Sequence, residues 1–156
     1  MNGVMVRIAL PQDADALAAL RHRLWPDSSV EHHLSELKLL LAGTFQMTLP
    51  YTTLVAQDQA GRMVGFAEVD LRSHADGCDP SQPVGYLEGW YVAPEWRRRG
   101  VGAQLVEEAE AWARSQGCKE MASDTWQDNV DSQHAHEALG FQVVDRCVNY
   151  RKSLDR

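Results

Sequence analysis

The residues with the clearest chemical content stand together at Arg97-Arg98-Arg99-Gly100-Val101-Gly102. A β-prone run over residues 84–92 precedes them, Pro94 ends it, and a helical pattern follows with Val101, Leu105, Ala109 and Trp112 on one face. The first turn of a helix leaves backbone N–H groups unpaired, and the helix dipole adds positive potential there. Glycines let a ligand approach that backbone closely, and arginines bring cationic side chains. This order of residue types fits a di- or triphosphate group. No G-x-x-x-x-G-K-[ST] is present, and the two glycines do not complete a G-x-G-x-x-G. The plainer alternative is a basic helix start with a solvated arginine run.

Other reactive side chains give weaker patterns. His134 and His136 are two apart, so on a helix they point to different faces and cannot chelate together. No metal is expected. His32-His33 reads as a solvated or half-buried surface pair. Cys78, Cys118 and Cys147 are odd in number and far apart, with neither metal spacing nor a disulfide framework, which fits a reducing compartment.

The elements that must position the loop follow from periodicity. Residues 4–10 read as a strand, and Asp13 opens a helix with Leu17, Leu20 and Leu24 on one face, stopped by Pro26. Ser28 and Glu31 have capping-box spacing, and Leu34, Leu37 and Leu41 carry a second helix to Gly43. Strands over 51–57 and 62–71 flank the turn Asp58-Gln59-Ala60-Gly61, and residues 74–83 form a turn-rich loop. After the long helix come a strand over 120–124, a helix over 129–139 and a final strand over 141–151. The order β-α-α-β-β-β-α-β-α-β predicts a mixed sheet with helices on both faces.

The chain has 156 residues, one domain's worth, and shows no repeat or linker, so a single domain over 1–156 is expected. Its 15 basic and 22 acidic residues leave a net charge of −7, the opposite of a nucleic-acid binder and favourable to cationic partners. The same charge also simply keeps a small domain soluble. No apolar run is long enough for a membrane span, and the start MNGVMVRIALPQDAD lacks a signal-peptide pattern. Neither a nucleic acid nor a membrane is an expected partner, and the expected location is the cytoplasm.

The R-x-x-G-x-G between strand and helix resembles the acetyl-CoA pyrophosphate loop of the GNAT superfamily of N-acetyltransferases. RLWP at 23–26, GCD at 77–79, YLEGWYV at 86–92, GCKEMASDT at 117–125 and SQHAHEALGF at 132–141 are similar to bacterial aminoglycoside 6'-N-acetyltransferases. The resemblance implies the GNAT fold, in which the fourth and fifth strands splay apart to admit the pantetheine of acetyl-CoA. It places Trp90, Tyr91 and Val92 beside the pantetheine and thioester, with the Val92 N–H on the thioester oxygen. It places Arg97, Arg98, Arg99, Gly100, Val101, Gly102 and Ala103 along the pyrophosphate, and gives Asn129 a coenzyme contact. Trp25, Glu88, Asp124 and Asp145 would face the antibiotic, and relatives tend to be homodimers. Resistance to the drug would follow from its acetylation. Trp126 stands where the family commonly has a smaller residue, and the loop at 73–76 departs from its pattern.

The implied chemistry is sound in physical terms. Aminoglycosides are polycations, so their site needs carboxylates. An amine attacking a thioester must lose a proton, the oxyanion needs a donor, and the departing thiolate needs a proton. Glu88 or Asp124 would take the amine's proton, directly or through water. Structural alternatives are that Glu88 pairs with an arginine and Asp124 caps the next turn. His136 sits where many GNAT enzymes carry a tyrosine that protonates the thiolate; its alternative is packing within the helix. The five tryptophans are expected to pack, Trp25 also walling a sugar ring. Rival functions are a GNAT enzyme for another amine (a polyamine, peptide or metabolite) and an acyl-CoA-binding module without turnover.

Overall fold

Alternating side chains along three long runs build the middle of the sheet. These are Tyr51–Gln57 (β2), Met63–Arg72 (β3) and Val84–Val92 (β4), paired antiparallel. The computed structural model describes residues 2–44 and 48–155. Met5–Ile8 (β1) joins β2 antiparallel and Met121–Ser123 (β5) joins β4 in parallel, giving the order β1-β2-β3-β4-β5. Successive residues face opposite sides, so Leu54 enters one core and Val55 the other. Ala14–Leu24 (α1) and Val30–Leu41 (α2) cover one face through Leu17 and Leu37, both fully buried. Val101–Ser115 (α3) covers the other through Val101, Leu105 and Ala109. Val130–Ala138 (α4) follows β5. Truncating a buried leucine such as Leu17 to alanine costs about 2–5 kcal/mol.

Local chemistry sets the helix ends. The Asp13 carboxylate accepts the Leu10 N–H at 2.7 Å and two N–H groups of Arg7 at 2.7 and 3.0 Å, tying the start of α1 to β1. Pro26 cannot continue α1, which ends at Trp25. The cap of α2 is Ser29, whose hydroxyl accepts the His32 N–H at 3.0 Å; the expected capping box at Ser28 does not form. Ser28 is used in the preceding turn, where its carbonyl meets His22 Nδ1 at 2.8 Å. His33 is buried, correcting the surface reading: its Nε2 donates to the Trp25 carbonyl at 3.1 Å and braces the α1–α2 turn.

The largest departure is at the C-terminus, where the final strand expected over 141–151 is not formed. A strand exists only by pairing, and β5 pairs with β4 alone among the described residues. Val143, Val144, Val148 and Tyr150 are exposed, so the apolar content that suggested a strand finds no core within the chain. Contacts that hold this arm include Phe141 against the α3-side core, Gln127 Nε2 donating to the Cys147 carbonyl at 2.8 Å, and Val144 against Gly77. Trp126 is 73% exposed, so it does not pack as expected. Among the described residues, no helix is long and apolar enough to cross a membrane.

Candidate active site

Strands β4 and β5 stay together for three residue pairs, Gly85–Met121, Tyr86–Ala122 and Leu87–Ser123, and then part. Glu88 and Asp124 are the next residues on each side, so both stand at the mouth of the opening. Beyond it the backbone of residues 88–92 has no β5 partner. The Ala93 N–H donates to the Val64 carbonyl on β3, and N–H directions alternate along a strand. The Val92 N–H therefore points into the opening. On the same side, the Val92 carbonyl accepts Arg97 Nε at 2.8 Å.

A β-bulge aims Glu88. Glu68 of β3 faces Gly89 and its neighbour Val69 faces Leu87, which leaves Glu88 as the extra residue on β4. Simple alternation would send Glu88 toward α3, opposite Gly89. The bulge instead delivers it to the α1–α2 face, where Glu68, Asp70 and Arg72 project in turn from β3. Arg72 clasps Glu88 with Nη2 at 2.7 Å and Nε at 2.9 Å, which raises the guanidinium pKa further. Tyr86, opposite Asp70, lies beneath Arg72 at 3.4 Å and donates its hydroxyl to Asp124 at 2.5 Å. Burial first, then that hydrogen bond, pushes the Tyr86 phenol above its ordinary value. Asp70 is pushed up to about 7, first by burial, then by hydrogen bonding with and repulsion from Glu88. Glu68 is bound by the buried Arg21 of α1.

Trp25 borders this acidic wall. A Cβ on Gly89 would come within 2.6 Å of the Trp25 ring, so only glycine lets the indole lie against β4 beside Glu88. Phe66 backs the ring at 6.3 Å.

The loop between β4 and α3 is sharply turned. Arg98 and Gly100 both adopt left-handed conformations, φ 61° and 82°, and Gly100 leads directly into α3. Arg97 lies over Tyr91 and Arg99 over Trp96, with ring distances of 5.6 and 5.0 Å. Gly102 makes room for an indole: its would-be Cβ lies 3.1 Å from Trp90, whose Nε1 donates to the Gly102 carbonyl at 3.2 Å.

His136 closes the far side of the opening. Its Nδ1 lies 2.7 Å from the Ser132 carbonyl, which can only accept, so Nδ1 carries a proton. Its Nε2 lies 2.8 Å from the Ser123 hydroxyl, which reaches the Leu87 carbonyl at 3.2 Å. Trp90 and Phe141 hold the ring edge-on at 5.1 and 5.3 Å.

The model of the acetyltransferase (GNAT) family matches residues 17–141. The chain belongs to the GNAT acetyltransferase family. Its relatives include an aminoglycoside N(6')-acetyltransferase type 1 of Serratia marcescens, 44% identical and covering 96% of this chain and 99% of that protein. Another of the same description, from Klebsiella aerogenes, is 42% identical over 96% of this chain and 97% of its own length. Among solved structures, the aminoglycoside N-acetyltransferase AAC(6')-Iy in complex with CoA superposes with a TM-score of 0.85. It is 36% identical, with 96% of this chain and 94% of that one covered. AAC(6')-Iy with a bisubstrate analogue, CoA-S-monomethyl-acetylneamine, gives 0.84 at 35% identity, covering 96% and 98%.

In this GNAT chain the fold brings Trp25, Glu88 and Asp124 to one side of the splay, and Trp90, Val92 and His136 line it. Tyr91 turns into the α1–α2 core, with Arg97 above its ring. The Asn129 side chain caps α4, accepting the Ser132 N–H at 3.1 Å. Asp145 is not gathered with the other acids; it is exposed on the C-terminal arm, where its carboxylate accepts the Arg146 N–H. Asp70, Arg72, Tyr86 and Ser123 escaped the sequence reading. The alternation Glu68-Val69-Asp70-Leu71-Arg72 was the available signal: a charged stripe of period two on one face of a central strand.

Proposed function

We propose that this chain transfers the acetyl group of acetyl-CoA to the 6'-amine of aminoglycoside antibiotics. The observation that carries this reading is the pair Glu88 and Asp124, set at the mouth of the β4–β5 opening and joined through Arg72 and Tyr86. A polycation is the acceptor such a wall suits, and the curated relatives bearing that activity in their names support it.

The chain's own groups suit the coenzyme. Unpaired N–H groups of the first turn of α3, with the left-handed Arg98 and Gly100 before it, offer donors to a pyrophosphate. Arg97, Arg98, Arg99, Val101, Gly102 and Ala103 complete that cradle in this reading, while Trp90, Tyr91 and Val92 flank the pantetheine and Asn129 makes a further coenzyme contact. Acetyl-CoA supplies the thioester. The Val92 N–H, directed into the opening, stabilises the oxyanion as the amine adds. Glu88 and Asp124 hold the incoming ammonium, and one of them takes its proton. Trp25 walls the sugar ring, and His136 lies on the side from which the thiolate would be protonated. No acyl-enzyme is needed.

The location we assign is the cytoplasm, in keeping with the free thiols of Cys78, Cys118 and Cys147. A homodimer is the assembly we favour, because the exposed apolar arm around Val148 and Tyr150 and the outer edge of β5 both lack cover within the chain. Light scattering on the wild type and on Val148→Glu tests this, with a monomeric wild type overturning it.

The activity is tested by thiol release from acetyl-CoA with kanamycin, its 6'-hydroxy analogue, spermine, a peptide, or no acceptor. Turnover with kanamycin alone is the expected result. Turnover only with spermine or the peptide would move the enzyme to another amine, and coenzyme binding without turnover would leave a binding module. Glu88→Gln and Asp124→Asn test the carboxylates, and at least one should lose about 10²-fold or more in kcat.

A further inference from the structure

We propose that Asp70 is a positioning residue of the acceptor site, sharing one proton with Glu88 in the resting protein and releasing it when the acceptor's ammonium arrives. The proposal rests on the acceptor reading above and adds a residue and a proton to it.

The geometry begins with the β4 bulge. By carrying Glu88 to the α1–α2 face, it sets one carboxyl against another, because Asp70 projects from β3 on that same face. Asp70 Oδ1 is buried and receives no hydrogen bond from a described donor. Glu88, carried to the same face of the neighbouring strand by the bulge, is the side chain set beside it, and it offers only acceptor oxygens when ionised. Two carboxylates can bond only if one carries a proton, and the buried oxygen makes that the lower-energy state.

The surrounding charges agree. On β3, Glu68 lies on one side and Arg72 on the other. Glu68 is neutralised by Arg21 of α1, itself 3.7 Å from Glu36 of α2. From β4 come Tyr86, whose proton points to Asp124, and Glu88, to which Arg72 is committed. From β2, Tyr51 stands opposite Asp70 but spends its hydroxyl on the Leu40 carbonyl. Arg72 is thus the nearby cation left to balance Asp70 and Glu88, and it can offset only one negative charge. Burial with this imbalance pushes the Asp70 carboxyl up to about 7.

An ammonium group reaching Glu88 changes the balance by one charge, and the shared proton leaves to solvent. The pair is then doubly ionised and can accept a proton from the ammonium as the amine attacks. Of the ammonium's three protons, one remains on the amide, one returns to the pair and one leaves with the thiol. The proton expelled on binding is the one that the net reaction releases.

Two measurements test this. Carbon-detected NMR of the side-chain carboxyls in the resting wild type should show one group titrating near 7, absent from Asp70→Asn. Ordinary carboxylate titration throughout, near 4, overturns the shared proton. Calorimetry of kanamycin binding in buffers of different ionisation enthalpy should then show more proton release by the wild type than by Asp70→Asn. Equal proton counts overturn the coupling to the acceptor. If kanamycin does not bind the wild type at all, the acceptor reading and the coupling both fall, while the NMR titration still judges the shared proton.

Discussion

Arg72 grips Glu88 through two hydrogen bonds, at 2.7 and 2.9 Å, while its guanidinium rests 3.4 Å above the Tyr86 ring. Since Tyr86 also holds Asp124, one cation touches the arrangement of both carboxylates at the β4–β5 opening. The arginine does for the resting wall what an acceptor ammonium would do in the complex: it neutralises Glu88 at a partly exposed position.

Competition between the two cations gives a first prediction. Arg72→Gln removes the cation that competes for Glu88, so the kanamycin KM should fall by roughly fivefold at low salt, the scale of one partly exposed ion pair. The gain should shrink as salt screens the wall. An increase in KM would instead make Arg72 part of the drug's binding surface.

Gly102 lies against Trp90 and, in the proposed reading, along the coenzyme's pyrophosphate. In Gly102→Val the branched side chain meets Trp90 at the position where a Cβ already lies 3.1 Å away, and it crowds the N–H groups of the first turn. The acetyl-CoA KM should rise about tenfold or more, with Gly102→Ala intermediate. Kanamycin binding, followed by calorimetry, should change little. An unchanged acetyl-CoA KM would remove the loop from the coenzyme site.

The parts legible in the sequence were those whose cause is local. The loop at 97–102 could be read because strand, glycines and helix are contiguous, and β4 and β5 because each run is self-contained. Glu88 and Asp124 were visible as residues, but not what each would hold. The bulge that turns Glu88 depends on the register of β4 against β3, which no single segment encodes. Asp70 and Arg72 read as a polar strand face for the same reason. The strand expected over 141–151 failed in the opposite way: its residues have strand character, but pairing needs a neighbour, and none of the described residues supplies one. His33 looked like surface because its burial comes from the α1–α2 turn folding back on it.

The raised pKa of Asp70 has a consequence for stability. A carboxyl that holds its proton more tightly when folded stabilises the fold fully below its unfolded value of 3.8, and that contribution is lost as pH rises toward about 7. After allowance for screening of a half-exposed group, the loss is on the order of 1–2 kcal/mol. Thermal unfolding of the wild type should therefore show a downward component in Tm between pH 5 and 7.5, roughly, which Asp70→Asn lacks. Parallel Tm profiles for the two proteins would place an ordinary carboxylate at Asp70.

His136 gives the last prediction. With a proton fixed on Nδ1 by the Ser132 carbonyl, only Nε2 can exchange one, and Nε2 faces the Ser123 hydroxyl inside the opening. That hydroxyl has a single hydrogen. If it goes to the Leu87 carbonyl, Nε2 must donate to Ser123 and the ring is an imidazolium, ready to supply a proton; if it goes to Nε2, the ring is neutral. Ser123 and His136 thus switch together, and the ring's charge is read by the hydroxyl beside the Leu87 carbonyl. Under saturating acetyl-CoA, His136→Ala should lower kcat by at least about tenfold, less than the usual ~10²–10⁴-fold of acid catalysis because the thiolate is a good leaving group, and His136→Tyr should restore part of it. Coenzyme affinity should change little in either. Ser123→Ala should lower kcat less than His136→Ala does, because it removes the partner of Nε2 and not the acid. Small, equal losses in the alanine and tyrosine variants would reduce His136 to the packing partner of Trp90 and Phe141.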